Sequence, residues 1–252
     1  ENDRRPEAPK QARCSVVPLL SHLMADGWRL PEQLKPEALI QSGSIDARGA
    51  CWRNADLSKL NLKNAKLCRV DLRGSDLSQN DLEGADLRLA RYDQSTSWPV
   101  GYRYQTTGAI GPGAKLNGQF LNGADLRGMD LREASFLGAY LSGADLSGSL
   151  LDGVSFVGAD LRNASFKGAR CKKARFNTSQ LNMTDFRGAD LEQAELQNAD
   201  SIEGADFSYC KHFGNTVSSL LERSTKELDV WNPITRQQTR KSLECLLEVS
   251  GS

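Results

Sequence analysis

The sequence predicts an all-β solenoid, and three observations carry the prediction. The first is a period of five. Large apolar residues stand at every fifth position: Leu116, Leu121, Leu126, Leu131, Phe136, Leu141, Leu146, Leu151, Phe156, Leu161 and Phe166. Cys171 takes the next slot, followed by Phe176, Leu181, Phe186, Leu191 and Leu196. A helix repeats at about 3.6 residues and a strand at about 2, so neither explains the step. Self-similarity at a short fixed interval marks a stacked array. The second observation is a small residue, mostly Ala, Ser, Thr or Val, two positions before each centre. The third is Gly or Asn often found two positions after it, where those types tolerate tight or left-handed backbone. One geometry satisfies all three. Each pentapeptide makes a short flat side, with residues i and i−2 pointing inward and a corner near i+2.

Two segments carry the pattern in full: Ala124-Asp125-Leu126-Arg127-Gly128 and Ala144-Asp145-Leu146-Ser147-Gly148. They resemble the pentapeptide-repeat proteins, whose motif is small, Asp or Asn, Leu or Phe, polar, Gly. The resemblance implies a right-handed quadrilateral β-helix in which four pentapeptides close one coil. The period of five is read from the residues; four-sidedness comes from the resemblance. Four sides would stack residues twenty apart. Phe136, Phe156 and Phe176 then form one internal ladder, and Phe166 lies over Phe186 on the opposite side.

The chain in order divides as follows. Residues 1–44 are a Pro-rich, charged tail and an apolar helical segment around 15–27, expected to close the first coil. A first repeat block, 45–94, has ten centres from Ala47 to Tyr92, with Trp52 in an inward slot where distortion is expected. Residues 95–113 break the register and read as an inserted loop. A second block, 114–209, follows, with a slip of one residue near Ser201. Together the blocks make about seven coils on the four-sided geometry. Residues 210–252 read as a second helical cap, with helices over 216–223 and 235–248 and with Asn215, Ser224 and Thr235 as N-caps.

Composition narrows the function. The chain has 32 basic and 32 acidic residues in 252, so its net charge is zero. Hydrophobic content is 39%, enough for a core one residue thick. No apolar run approaches the roughly 18 residues of a membrane span. The chain begins at Glu1, read as a trimmed start or a mature form after removal of a leader. Six scattered cysteines have neither scaffold nor zinc spacing. Pairing of Cys51 with Cys68 and of Cys210 with Cys245 is left open. No phosphate loop or dinucleotide fingerprint is present. His22 and His212 are the only histidines, both placed in or beside the caps. No catalytic, cofactor-binding or metal-binding residue is expected, and the chain is read as a non-enzyme.

Aspartates at i−1 and arginines at i+1 recur on the outward side and read as solvated charge pairs. Two outward features depart from this pattern. Phe120 and Tyr140, with Leu137 and Val157 at the adjoining corner, make an apolar strip that marks a contact surface. Trp98, Tyr102 and Tyr104 add aromatic content to the 95–113 segment, either for a partner or folded back on the wall. Arg162, Lys167, Arg170, Lys172, Lys173 and Arg175 ring one coil between Asp160 and Asp185. Such a belt steers anionic partners or is balanced by acids on either side.

The run Y-D-Q-S-T-S-W-P and the following G-A-I-G-P-G-A-K-L-N-G resemble the cyanobacterial and plastid branch of the family. The resemblance implies a protein-interaction scaffold in a photosynthetic setting, thylakoid lumen, stroma or cyanobacterial cell. It is expected to serve as an accessory or assembly factor for a protein partner, with no nucleic acid bound. The alternative is a DNA-mimicking protein that protects or inhibits a topoisomerase, as in another branch. That role calls for an acidic rod, which a zero net charge does not supply.

Overall fold

The computed structural model describes residues 35–39, 45–214 and 216–250. The helix expected near residues 15–27, the Asn215 cap and His22 lie outside them. Pro36–Leu39 form one 3-10 turn.

The repeat winds into a four-sided ladder. Parallel bridges join residues twenty apart: Lys115 to Ser135, Phe120 to Tyr140, Asp125 to Asp145 and Asp130 to Leu150. The same four columns continue upward as Ser155, Asp160, Ser165 and Arg170. Beyond Ser201 the spacing becomes 21, as in Asp185 to Asp206, which places the expected slip in the coil.

One pentapeptide shows why this backbone is stable. Leu126 N–H donates to Asp145 C=O of the next coil at 2.8 Å, and Gly128 N–H donates to Ser147 C=O at 3.0 Å. Ala124 N–H turns the preceding corner by donating to Leu121 C=O at 3.0 Å. Asp145 N–H reaches down to Ala124 C=O at 2.9 Å. The remaining amide, at i+1, has no backbone acceptor. Arg127 N–H donates instead to the Asp125 carboxylate at 3.2 Å. The same bond recurs from Ser58, Ser78, Glu83, Arg162 and Arg187 to the aspartate two residues earlier. Aspartate at i−1 therefore completes the satisfaction of the backbone and is more than a surface charge.

Corners lie at i+2 in left-handed backbone. Gly128 has φ +62°, yet Asn163, Lys173, Thr178 and Met183 occupy the same position at φ between 54° and 59°. Coil-to-coil hydrogen bonds outweigh the local cost at those non-glycine corners.

The core is a stack of inward side chains, contributed by the walls of each coil. Every expected centre from Leu116 to Leu196 is buried. Phe136 stacks on Phe156 at 5.2 Å, and Phe156 on Phe176 at 5.2 Å. Phe166 stacks on Phe186 at 4.9 Å, and Phe207 continues that column at 5.2 Å. The two columns meet edge-on, with Phe156 and Phe166 at 5.4 Å. Trp52 also fits inside, at 1% exposure. Burial raises the Cys171 thiol well above its ordinary range, consistent with an inert filler. All five described cysteines are free thiols.

The 95–113 segment is less of an interruption than its sequence suggests. Ser97 pairs with Asp76 and Ile110 with Arg91, so the ladder passes through it. Between those rungs lie a tight turn, closed by Tyr102 N–H on Pro99 C=O at 3.0 Å, and a 3-10 turn at Tyr104–Thr106. The register is broken because this stretch departs from the five-residue step while still supplying walls.

After Lys211 the chain leaves the ladder. It forms α1 (Thr216–Leu221), α2 (Thr225–Leu228), a hairpin of β1 (Trp231–Asn232) and β2 (Gln237–Gln238), and α3 (Thr239–Ser250). The last helix begins four residues later than expected. Asn232 Oδ1 accepts the N–H groups of Ile234 and Thr235, so Thr235 sits in a turn instead of capping a helix. Side chains from these elements satisfy the last coil's edge. Arg223 donates to Ala199 C=O at 3.0 Å, and Glu227 accepts Ile202 N–H at 2.6 Å. Asn232 donates to Gly204 C=O at 2.8 Å, and Ser242 accepts Phe207 N–H at 3.1 Å. An unpaired edge would otherwise template pairing with another chain.

Candidate functional site

The outward apolar strip is assembled by the ladder itself. Phe120 and Tyr140 are neighbouring rungs, so their i−1 side chains project from one wall, one above the other. Their rings stack at 4.7 Å and 7°. Phe120 is 75% exposed, Tyr140 43% and Leu137 41%; Val157 is half-buried. The column ends at the next rung, Asp160, which is forked by Arg162.

The aromatic residues of the 95–113 segment lie differently. Trp98 stacks on Tyr104 at 4.9 Å and on Tyr102 at 5.9 Å. Tyr92 meets Trp98 and Tyr104 edge-on at 5.7 and 5.2 Å. Trp98, Tyr102 and Tyr104 are half-buried and packed on the core. Burial raises the Tyr102 hydroxyl pKa. Of the seven contact candidates, these three face the rod.

The basic belt is interleaved with acids once the chain is wound. Arg162 forks Asp160 at 2.8 and 2.7 Å. Arg170 reaches one coil down to Asp152, with one bond at 3.0 Å. Lys172 reaches one coil up to Glu192 at 2.5 Å, and Arg175 lies 3.6 Å from Glu195. Lys167 and Lys173 have no carboxylate within 4.0 Å among the described residues. An acid-free stretch of sequence thus acquires acids in space from residues eighteen to twenty positions away.

Several outward aspartates are likewise matched by arginine, whereas Asp56 and Asp76 accept from the Ser58 and Ser78 amides. Arg127 forks Asp125 at 2.8 and 2.9 Å, and Arg132 forks Asp130 at 2.8 and 2.6 Å. The Arg127 hydrogen bond pulls the Asp125 carboxyl down to about 2. A depressed folded pKa means the pair's contribution is present above the unfolded value of about 3.9 and lost as pH falls through about 2. Arg127→Ala is expected to raise the Asp125 midpoint, read by carboxyl carbon NMR. An unmoved midpoint would show that the arginine is not its cause.

Metal-type ligands converge in one place among the described residues: Asp190, Glu192 and His212, on another wall. The sequence alone places His212 in or beside the C-terminal cap. No described helix is long and apolar enough to cross a membrane.

The pentapeptide repeats family model matches in eight copies over residues 55–91, 113–148, 144–182 and 169–211, more than half of the chain. No curated protein sequence matches. Among solved structures, a pentapeptide repeat protein of the Arabidopsis thaliana thylakoid lumen is 28% identical, covering 53% of this chain and 90% of that one, with a TM-score of 0.27. HetL, a pentapeptide repeat protein involved in heterocyst differentiation regulation in the cyanobacterium Nostoc, is 26% identical. It covers 68% of this chain and 78% of its own, with a TM-score of 0.24. A plasmid-mediated fluoroquinolone resistance protein is 20% identical, covering 72% and 97%, with a TM-score of 0.27. With the matched repeats and the ladder coinciding, the chain belongs to the pentapeptide repeat family.

Proposed function

We propose that the chain is a non-catalytic protein-interaction scaffold, a right-handed rod of about seven coils closed by helices at its C-terminal end. The observation that carries this reading is the stacked Phe120–Tyr140 pair with Leu137 beside it. Apolar rings held side by side on a β wall, facing water, fit a protein partner that offers its own apolar side chains. The rigid columns set the spacing, so little ordering is lost when the partner docks. The runs at residues 92–99 and 108–118 support a photosynthetic setting, plastid or cyanobacterial, and a role as accessory or assembly factor of a larger complex.

The test compares the full chain with Phe120→Ser/Tyr140→Ser as bait in chloroplast and cyanobacterial extracts. The double variant is expected to retain its circular dichroism and lose a partner that the parent chain captures. Identical partners for both baits would exclude the strip. The DNA-mimic alternative is disfavoured by the arginine forks on Asp125, Asp130 and Asp185, which cancel a negative stripe. Gyrase supercoiling is therefore expected to be unaffected by the chain; inhibition would favour the alternative.

A further inference from the structure

We propose that Asp190, Glu192 and His212 form a binding site for a divalent transition-metal ion of the zinc type, with Lys172 as its built-in competitor. The site arises from three successive coils. Asp190 and Glu192 stand at i−1 and i+1 of the wall centred on Leu191, so both project outward. Lys172 holds the i+1 position one coil below. Its ammonium draws the two carboxylates together, 3.6 Å from Asp190 and 2.5 Å from Glu192.

The third ligand comes from the coil above. Lys211 is the rung over Asp190, so residue 212 falls in the slot where a centre would point inward. His212 does not point inward. Its backbone is left-handed, φ 54°, and its side chain is 61% exposed. It turns down over the same wall, with Nδ1 3.0 Å from Asp190 Oδ1.

The three potential ligand atoms lie within 4.8 Å of one another. Tetrahedral coordination with bonds of about 2.0–2.1 Å needs ligand atoms about 3.4 Å apart. Small rotations of the solvent-accessible Glu192 and His212 side chains supply the difference around an Asp190 carboxylate that the Glu192 amide holds at 3.2 Å. One imidazole with two carboxylates favours borderline ions such as zinc over magnesium or calcium, which prefer oxygen alone. Water completes the shell, since the wall faces solvent. Lys172 already shows that this pair of carboxylates seats a cation. A doubly charged ion that gains an imidazole ligand replaces it.

Zinc chloride is titrated into the full chain by calorimetry, with magnesium chloride as the comparison. The His212 ring nitrogens are followed by long-range proton–nitrogen NMR. The expected result is stoichiometric zinc binding with a shift of the His212 nitrogens and no response to magnesium. Zinc at the exposed cysteines leaves those nitrogens unmoved, so the two sources are distinguished. His212→Asn keeps a residue that tolerates left-handed backbone and is expected to weaken binding at least about tenfold. Lys172→Met removes the competitor and is expected to tighten binding about fivefold. Unmoved His212 nitrogens, equal binding in His212→Asn, or equal affinity for magnesium would each overturn the proposal. If a variant fails to fold, the NMR titration of the parent chain decides alone.

Discussion

Phe156→Asp is expected to abolish the cooperative fold of the second repeat block. Phe156 is fully buried, stacked 5.2 Å from both Phe136 and Phe176 and edge-on to Phe166. Truncating such a ring to alanine costs about 3–5 kcal/mol through lost burial and the cavity left behind. Aspartate adds a carboxylate in a column of phenyl rings, where no donor stands ready. Desolvating an unpaired charge adds several kcal/mol more. A domain's entire stability is about 5–15 kcal/mol, so aspartate exceeds what the fold can absorb while alanine does not. Circular dichroism with urea titration separates the cases. Phe156→Ala should unfold at lower urea, Phe156→Asp should show no native baseline, and outward Lys167→Asp should stay within about 0.5 kcal/mol of the parent. A native baseline for Phe156→Asp at the parent's midpoint would mean the ring column is not the core.

Gly111→Ala is expected to disturb the seam between the two blocks. An added Cβ would lie 2.7 Å from two ring carbons of Tyr92 and 2.7 Å from its carbonyl oxygen. The ring has little room to move. Its hydroxyl donates to Pro112 C=O at 2.8 Å, and its faces and edges meet Trp98 and Tyr104. The carbonyl belongs to the wall and cannot yield at all without shifting the rung. Overpacking of this kind costs about 1–3 kcal/mol. Near-ultraviolet circular dichroism should change with it, because the Tyr92–Trp98–Tyr104 cluster is the part displaced. Gly128→Ala is the control. It meets nothing within 4 Å but must adopt φ +62°, so it should lose stability with the aromatic signal intact. An unchanged aromatic signal in Gly111→Ala would show that the seam is looser than its contacts.

How far the sequence foretold these features depends on whether they follow the repeat. Inward slots are set by one side chain and one period, so Leu116, Phe136 and Phe186 are legible without coordinates. The Asp–Arg pairs are legible for the same reason, being two residues apart on one side. The work of Asp125 as acceptor for the Arg127 amide is not, since it depends on which backbone group the wall leaves unpaired. The 95–113 segment reads as an insertion because Ser97 and Ile110 serve as rungs outside the five-residue step. The His212–Asp190 contact is hidden twice. The slip near Ser201 moves the register, and left-handed backbone carries His212 out of the slot its position assigns. The helix expected to start at Thr235 starts at Thr239 because Asn232 captured the amides of Ile234 and Thr235 in a turn.

The rungs also govern how such a chain comes to be built. Since partners are about twenty residues apart along the ladder, no step of assembly waits for a distant segment, and closing each loop carries a small entropic penalty. Growth can therefore keep pace with synthesis, each newly emerged stretch winding onto a template already in place.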